Sequence, residues 1–481
     1  MIRNPYLLQE YSLQEPPDDG IQTEMVPSHT PPLLRCPTDV LALILQWLSS
    51  HDLHALCLVC RDLHHIAEPV LYSNIHLTWV NGHDPRITSL LGAILTRPDL
   101  AACVRRILLD GDTFYNPPRS EEHTFPISEA DLIQPMEFVK RYRVPSPDIW
   151  VEQLRAGDMG AFLAILLSQL HNIEYLDIRP NFARNTHFLG IVLRAALCEA
   201  SDHGFSTFLR LREVRFDLKC ATAIPGRQAR NTQDLLPFFY LPSVERISVA
   251  IENPERGKKK ALVWPGRHEP VVANLTHLDV TIMKEGHLGR LLSATPALKT
   301  LRWVWVYHLR DSVHRAFAWS TTLNLDQVAK DLSLVRDTLT DLTIRAEAAD
   351  GRRLRVAGSL RAMVGVGALR RFEVPWAFLC SYGDPVDFLP GVLPSNIESL
   401  TINDDLYNIP DLYWGDDVIF KSLRFWLQDW ISSTPHIKLF HLLLRETSAD
   451  WQQPLRDKLA ALGVSAGLKL EITKIKSDVL L

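Results

Sequence analysis

A six-residue pattern with apolar side chains at positions 1, 4 and 6 recurs along most of the chain. It stands at residues 104–109, 173–178, 211–216, 244–249, 275–280, 298–303, 339–344, 369–374, 397–402 and 437–442. Alternation with period 2 at the end of each copy predicts a short strand with one buried face. Helix-like runs lie between the copies, clearest at 287–294, 323–335 and 418–430. Strand, helix, parallel strand is a right-handed crossover unit, and stacked units share one core. In such an α/β array positions 1, 4 and 6 face that core. The alternate residues, such as Thr276, His277 and Asp279, line a concave sheet suited to binding a partner. The run 110–147 carries Pro117, Pro118, Pro126, Pro135, Pro145 and Pro147 and reads as an irregular insertion or long loop.

Near the N-terminus the pattern is different. Residues 1–33, with Pro5, Pro16, Pro17, Pro27, Pro31 and Pro32 among few apolar side chains, read as a flexible tail. From Pro37 to Tyr72 the chain is denser in apolar residues than anywhere else near that end. Thr38 or Asp39 can cap a helix in which Gln46 is the one polar residue between Val40 and Leu48. Such a helix is apolar all round and must be covered on more than one side. A second helical run is expected over 53–66, with Pro69 ending it. So few residues hide only part of their own surface, so the surplus must meet the rest of the chain or another protein.

The string Cys36-Pro37-Thr38-Asp39-Val40-Leu41, with Ile44-Leu45, Trp47-Leu48, Asp52-Leu53, Leu56, Val59-Cys60-Arg61 and Leu63, resembles an F-box. Its continuation, Ile66-Ala67, Pro69, Leu71-Tyr72 and Ile75, is similar to the extended form common in fungal F-box proteins. Cys36 stands where that family usually has Leu, and Asp39 where Glu is commoner. The resemblance implies a three-helix module that docks on a Skp-type adaptor and through it on a cullin. The adaptor contacts it implies are Pro37, Val40, Leu41, Ile44, Leu45, Leu56, Val59, Cys60 and Leu63. The recurring pattern resembles a leucine-rich repeat with longer, less regular spacing. The expected layout is a tail over 1–33, an F-box over 34–76, and an irregular leucine-rich-repeat-like solenoid of parallel strands and helices over 77–481.

Composition narrows the function classes. Lys plus Arg number 51 against 56 Asp plus Glu, a net charge of −5 and a pI near 6.4, so no global field favours nucleic acid or an anionic membrane. Seven cysteines in 481 residues are too sparse for a disulfide framework and fit a reducing compartment. The first twenty residues lack the basic start and apolar run of a secretory signal, and no stretch is long and apolar enough to span a bilayer, so a cytoplasmic or nuclear protein is expected.

Four motifs invite chemistry. His54, Cys57, Cys60 and His64 are zinc-ligand types, but on one helix they spread too far for one ion, and the two thiols read as buried small apolar groups. Gly463-Val-Ser465-Ala-Gly467 matches a hydrolase elbow, yet a helical run precedes it, a strand-like run follows, and no histidine lies beyond Ser465. Gly463 reads as a helix C-cap instead. Gly365-Val-Gly367 lacks the third glycine of a dinucleotide loop, and His268-Glu269 is followed by helix-breaking Pro270. The basic run 256–260 reads as a solvated loop, and Trp303, Trp305 and Tyr307 as repeat core. No catalytic residue, cofactor or metal is expected. By resemblance the protein is a non-catalytic substrate receptor of an SCF-type ubiquitin ligase, its repeats holding an unidentified target protein. A second reading keeps the fold as an adaptor-bound scaffold without a ligase role.

Overall fold

The computed structural model describes residues 32–79, 85–111, 124–142, 144–179, 181–182, 185–199, 204–216, 232–251, 262–307, 322–348, 354–380, 388–407, 409, 412, 415–445 and 452–475. The chain divides into two units, Met1–Val70 and Leu71–Leu481. This division falls within the helix Arg61–Ser73, and residues 74–78, assigned to the F-box up to residue 76 by the expected layout, form a strand in the second unit's sheet. Most of the expected tail, up to residue 31, lies outside the described residues.

In the first unit a short 3-10 turn, Pro32–Arg35, leads into α1 (Thr38–Leu45), α2 (Ser50–Cys57) and α3 (Arg61–Ser73). Three local expectations are corrected here. Pro37 holds the N-cap position of α1 and no side chain caps it; Thr38 and Asp39 lie inside its first turn. The run over 53–66 is two helices. Ser49 caps the first, its Oγ accepting from the Asp52 amide at 3.2 Å, and the chain breaks before Arg61 opens the second. Pro69 lies inside α3, which runs on to Ser73. Its missing N–H leaves one helical bond unmade without ending the helix. Among the described residues of this unit, Leu41, Leu45, Leu53, Leu63 and Ala67 are the buried apolar ones.

The strands of the second unit are β1 (Asn74–Thr78), β2 (Arg106–Asp110), β3 (Tyr175–Ile178), β4 (Glu213–Phe216), β5 (Arg246–Ala250), β6 (His277–Thr281) and β7 (Thr300–Tyr307). They continue as β8 (Thr322–Asn324), β9 (Asp341–Ala348), β10 (Arg355–Ala357), β11 (Arg371–Pro375), β12 (Ser399–Asn403), β13 (Leu439–Arg445) and β14 (Lys469–Ile475). Twelve form one parallel sheet in chain order, and β8 and β10 pair separately. Helices occupy most of the intervals, among them Glu285–Leu292, Leu325–Leu332 and Asp416–Gln428, close to the runs the periodicity predicts, whereas the described residues between β5 and β6 hold none.

All ten copies of the pattern end in strands of this sheet, and every residue at positions 1, 4 and 6 is buried, none more than 4% exposed. Position 2 forms a backbone ladder one residue ahead of the strands: the Glu174 amide donates to the Arg105 carbonyl (2.7 Å), Arg212 to Glu174 (2.9 Å) and Glu245 to Arg212 (2.8 Å). Just before position 1, Asn172, Ser243, Asn274 and Asn396 donate side-chain bonds of 2.7–3.1 Å to carbonyls of the preceding unit. These bonds satisfy backbone acceptors where the strands begin, and so tie each unit to the last.

The 110–147 segment is more ordered than its prolines suggest. Residues 112–123 lie outside the described set, but Glu129–Arg141 is a helix with Pro135 buried inside it. Ser128 and Asp131 close a capping box at its start, and Pro147 opens the next helix, Pro147–Arg155. Among the described residues between 110 and 173 there is no further strand, and β2 pairs directly with β3.

One contact between neighbouring helices is tight enough to test. The Gly289 amide, in Glu285–Leu292, donates to Asp331 Oδ2 (3.0 Å) on Leu325–Leu332, and Gln327 Nε2 holds the other carboxylate oxygen at 2.7 Å. A Cβ at Gly289 would press into that buried carboxylate. Alanine gains about 1 kcal/mol of helix propensity over glycine, yet Gly289→Ala is expected to destabilise the protein by about 1–3 kcal/mol through overpacking. Urea unfolding checks this, and an unchanged or raised midpoint would show that Asp331 yields freely.

Candidate protein-interaction surfaces

The first surface is on the N-terminal helices. Helical spacing puts Leu41 and Leu45 on one inward stripe of α1, which turns Val40, Leu43 and Ile44 outward, and Trp47 follows in the turn after the helix. Trp47 is 90% exposed and Leu43 60%. The break between α2 and α3 adds Leu58 at 75% and Val59 at 66%. His64 Nδ1 fixes this break by donating to the Cys57 carbonyl at 3.1 Å. Ser49 Oγ donates to Asp52 Oδ2 (2.7 Å), holding that carboxyl below its usual range.

The structure sorts the nine residues implied as adaptor contacts. Pro37, Val40, Ile44, Val59 and Cys60 are exposed and Leu56 is half-buried, so these are accessible. Leu41, Leu45 and Leu63 are at most 7% exposed and pack inside the unit, Leu41 and Leu45 one helical turn apart. Leu33, Leu43, Trp47, Leu48 and Leu58 are the exposed large apolar residues of the described unit missing from that set.

Residues 33–78 match the family model described as F-box-like, so the chain carries an F-box-like domain at the position its sequence suggests. The match ends with the last residue of β1. No curated protein matches the chain.

The second surface is the outward face of the sheet. Residues paired in register form lateral rows across it, one of which runs Arg106, Tyr175, Glu213, Arg246, His277 and Thr300 over β2 to β7. Thr276, His277 and Asp279 are half-buried on it, as the alternation predicts. Toward the ends of β9, β12 and β13 lies a charged cluster. Asp405 accepts from Arg345 Nε (2.9 Å) and Nη2 (3.2 Å), the Ala346 amide (2.8 Å) and Arg445 Nη2 (2.9 Å). Arg345 Nη1 donates to Glu373 (2.7 Å), and the Arg445 amide to Asp404 (2.8 Å). Burial works against the Arg345 charge, but Asp405 and Glu373 outweigh it and hold the guanidinium pKa above its usual value. Burial pushes Glu347 up to about 7 and Asp404 up to about 6.

The candidate chemistry resolves residue by residue. His54 and Cys57 lie on α2 and His64 on α3, with Cys60 exposed between them and not buried as expected. Burial raises the Cys57 thiol, and among the described residues no group of three or more His, Cys, Asp or Glu is placed to hold a metal. Ser465 ends the helix Gln453–Ser465 and donates to the Leu462 carbonyl at 2.9 Å. Gly463 is inside that helix; the left-handed residue that ends it is Gly467, with φ +67°. Trp303 and Trp305 are buried, Trp303 Nε1 donating to the Met283 carbonyl at 2.9 Å. The basic run 256–260 and the Tyr307 side chain lie outside the described residues. No helix among the described residues is long and apolar enough to cross a membrane.

Proposed function

We propose that the protein is a substrate-recognition subunit of a cullin-RING (SCF-type) ubiquitin ligase, in which the F-box-like domain docks on a Skp-type adaptor and the repeat region binds the target. The observation that carries this reading is the apolar surface on α1, in the turn after it and at the α2–α3 break, with Trp47, Leu58, Val59 and Leu43 all more than half exposed. Covering each large aliphatic side chain contributes about 1.5–3 kcal/mol, enough for a firm interface after association costs. A parallel sheet built strictly in chain order, with one apolar pattern per strand, supports reading the rest as an irregular leucine-rich-repeat-like solenoid. The protein's part is non-covalent: it brings target lysines near a ubiquitin-charged enzyme and raises effective concentration. Such work takes place in the cytoplasm or nucleus.

Co-expression with a Skp-type adaptor followed by size-exclusion chromatography tests this. The two are expected to co-elute, and Trp47→Asp with Leu58→Asp to abolish co-elution while leaving the unfolding midpoint near that of the parent, since both side chains face solvent. A full chain that ignores the adaptor overturns the proposal. Leu41→Asp is the wrong control, because it buries a charge in the unit's core.

A further inference from the structure

On the outward row of the sheet, Arg106 and Arg246 are both exposed and stand three strands apart on β2 and β5. The acidic groups nearest them along the face are already engaged: Glu213 by Arg215 (2.9 Å), Asp177 by Arg179 (3.3 Å) and Asp279 by Arg302 (3.2 Å). Among the described residues neither Arg106 nor Arg246 has a carboxylate within ion-pairing distance. Arg106 instead lies over the Tyr175 ring, its guanidinium carbon 4.4 Å from the centroid. Tyr175 is tethered in turn by donating to Asp177 Oδ2 at 3.1 Å. A guanidinium held over an aromatic face keeps its donors free for a bidentate anion. In a chain of net charge −5, this stretch carries two arginines without a carboxylate partner among the described residues, while Asp110 at the far end of β2 lies 3.9 Å from His76.

We infer that the outward face between β2 and β6 binds an extended acidic peptide segment running across the strands, with one carboxylate on Arg106 and a second on Arg246. Neighbouring strands lie about 4.8 Å apart, so the two arginines are separated by about 14 Å. An extended peptide rises about 3.4 Å per residue, which places acidic side chains four residues apart over the two cations and on the same side of the segment. The inference rests on the reading of the sheet as the target-binding face.

The test uses the full chain co-expressed with a Skp-type adaptor and a set of fluorescein-labelled nonapeptides bearing two glutamates separated by one to six serine or alanine residues. Fluorescence anisotropy is expected to show tightest binding with three intervening residues, weakening steeply with added salt. Arg106→Gln and Arg246→Gln should each weaken it about fivefold, and the pair about 25-fold, while Arg267→Gln, an exposed arginine off the strands, leaves it unchanged. Equal binding of the diglutamine peptide, no dependence on glutamate spacing, an unaffected double variant, or tighter binding of a single-stranded oligonucleotide would each overturn the inference. Adaptor co-elution is read on the same preparations. Its persistence without peptide binding sinks this inference alone, and its loss with peptide binding intact sinks the ligase reading alone.

Discussion

Asp405→Ala is expected to lower the stability of the repeat region by about 3–5 kcal/mol. Asp405 is the hub of the cluster at the ends of β9 and β13, and its side chain is 1% exposed. Removing it leaves the Arg345 guanidinium, itself 6% exposed, with Glu373 as its remaining ion-pair partner, and frees the Arg445 Nη2 and Ala346 amide donors. Breaking a buried pair from one side is costly because the surviving charge stays desolvated. Two measurements check this: urea unfolding of the variant, and of Asp405→Asn, which keeps the shape and one acceptor and should recover part of the loss. A change below about 1 kcal/mol would mean that water reaches the arginines as readily as Asp405 does.

The sheet was largely legible in the sequence because its repeat is written in apolar residues at fixed offsets, and the ten copies need no knowledge of one another to be seen. The two outer strands escaped the array for a physical reason. In register, Ile75 and Leu77 of β1 match Ile107 and Leu109, but position 1 falls on Tyr72, inside the end of α3. In β14, Leu470 and Ile472 match Phe440 and Leu442, but position 1 falls on Gly467, the left-handed residue that turns the chain from helix to strand. At each edge the first core position is taken by a residue serving the adjoining helix. Proline misled twice. Pro69 and Pro135 sit within helices, where surrounding packing outweighs one missing hydrogen bond.

The N-terminal surface was half legible. Apolar density announced an interface, but the resemblance alone does not separate side chains that hold three helices together from those that face outward. Leu41 and Leu45, one turn apart, fill the core, and Trp47 is left in solvent. The charged cluster on the sheet was not legible at all. Asp405 lies sixty residues beyond Arg345 and forty before Arg445, and nothing in the local pattern links them.

That cluster also makes stability depend on pH in a direction opposite to the usual carboxylate. Burial lifts Glu347 from 4.5 to about 7, with Arg445 the first of the neighbours drawing it back down. Between those values the folded protein keeps a proton that the unfolded chain has released. The contribution is therefore fully present below about pH 4.5 and is lost as pH rises through about 7. Asp404, lifted to about 6, acts in the same sense over a lower window. Glu347→Gln removes the ionisation and keeps the shape. It is expected to leave stability near that of the parent at pH 4.5 and to raise it by up to about 3 kcal/mol at pH 8. Urea titrations at those two pH values decide the matter. A stabilisation of equal size at both would trace to packing, and none at pH 8 would mean that the Arg445 and Arg345 charges already compensate the carboxylate.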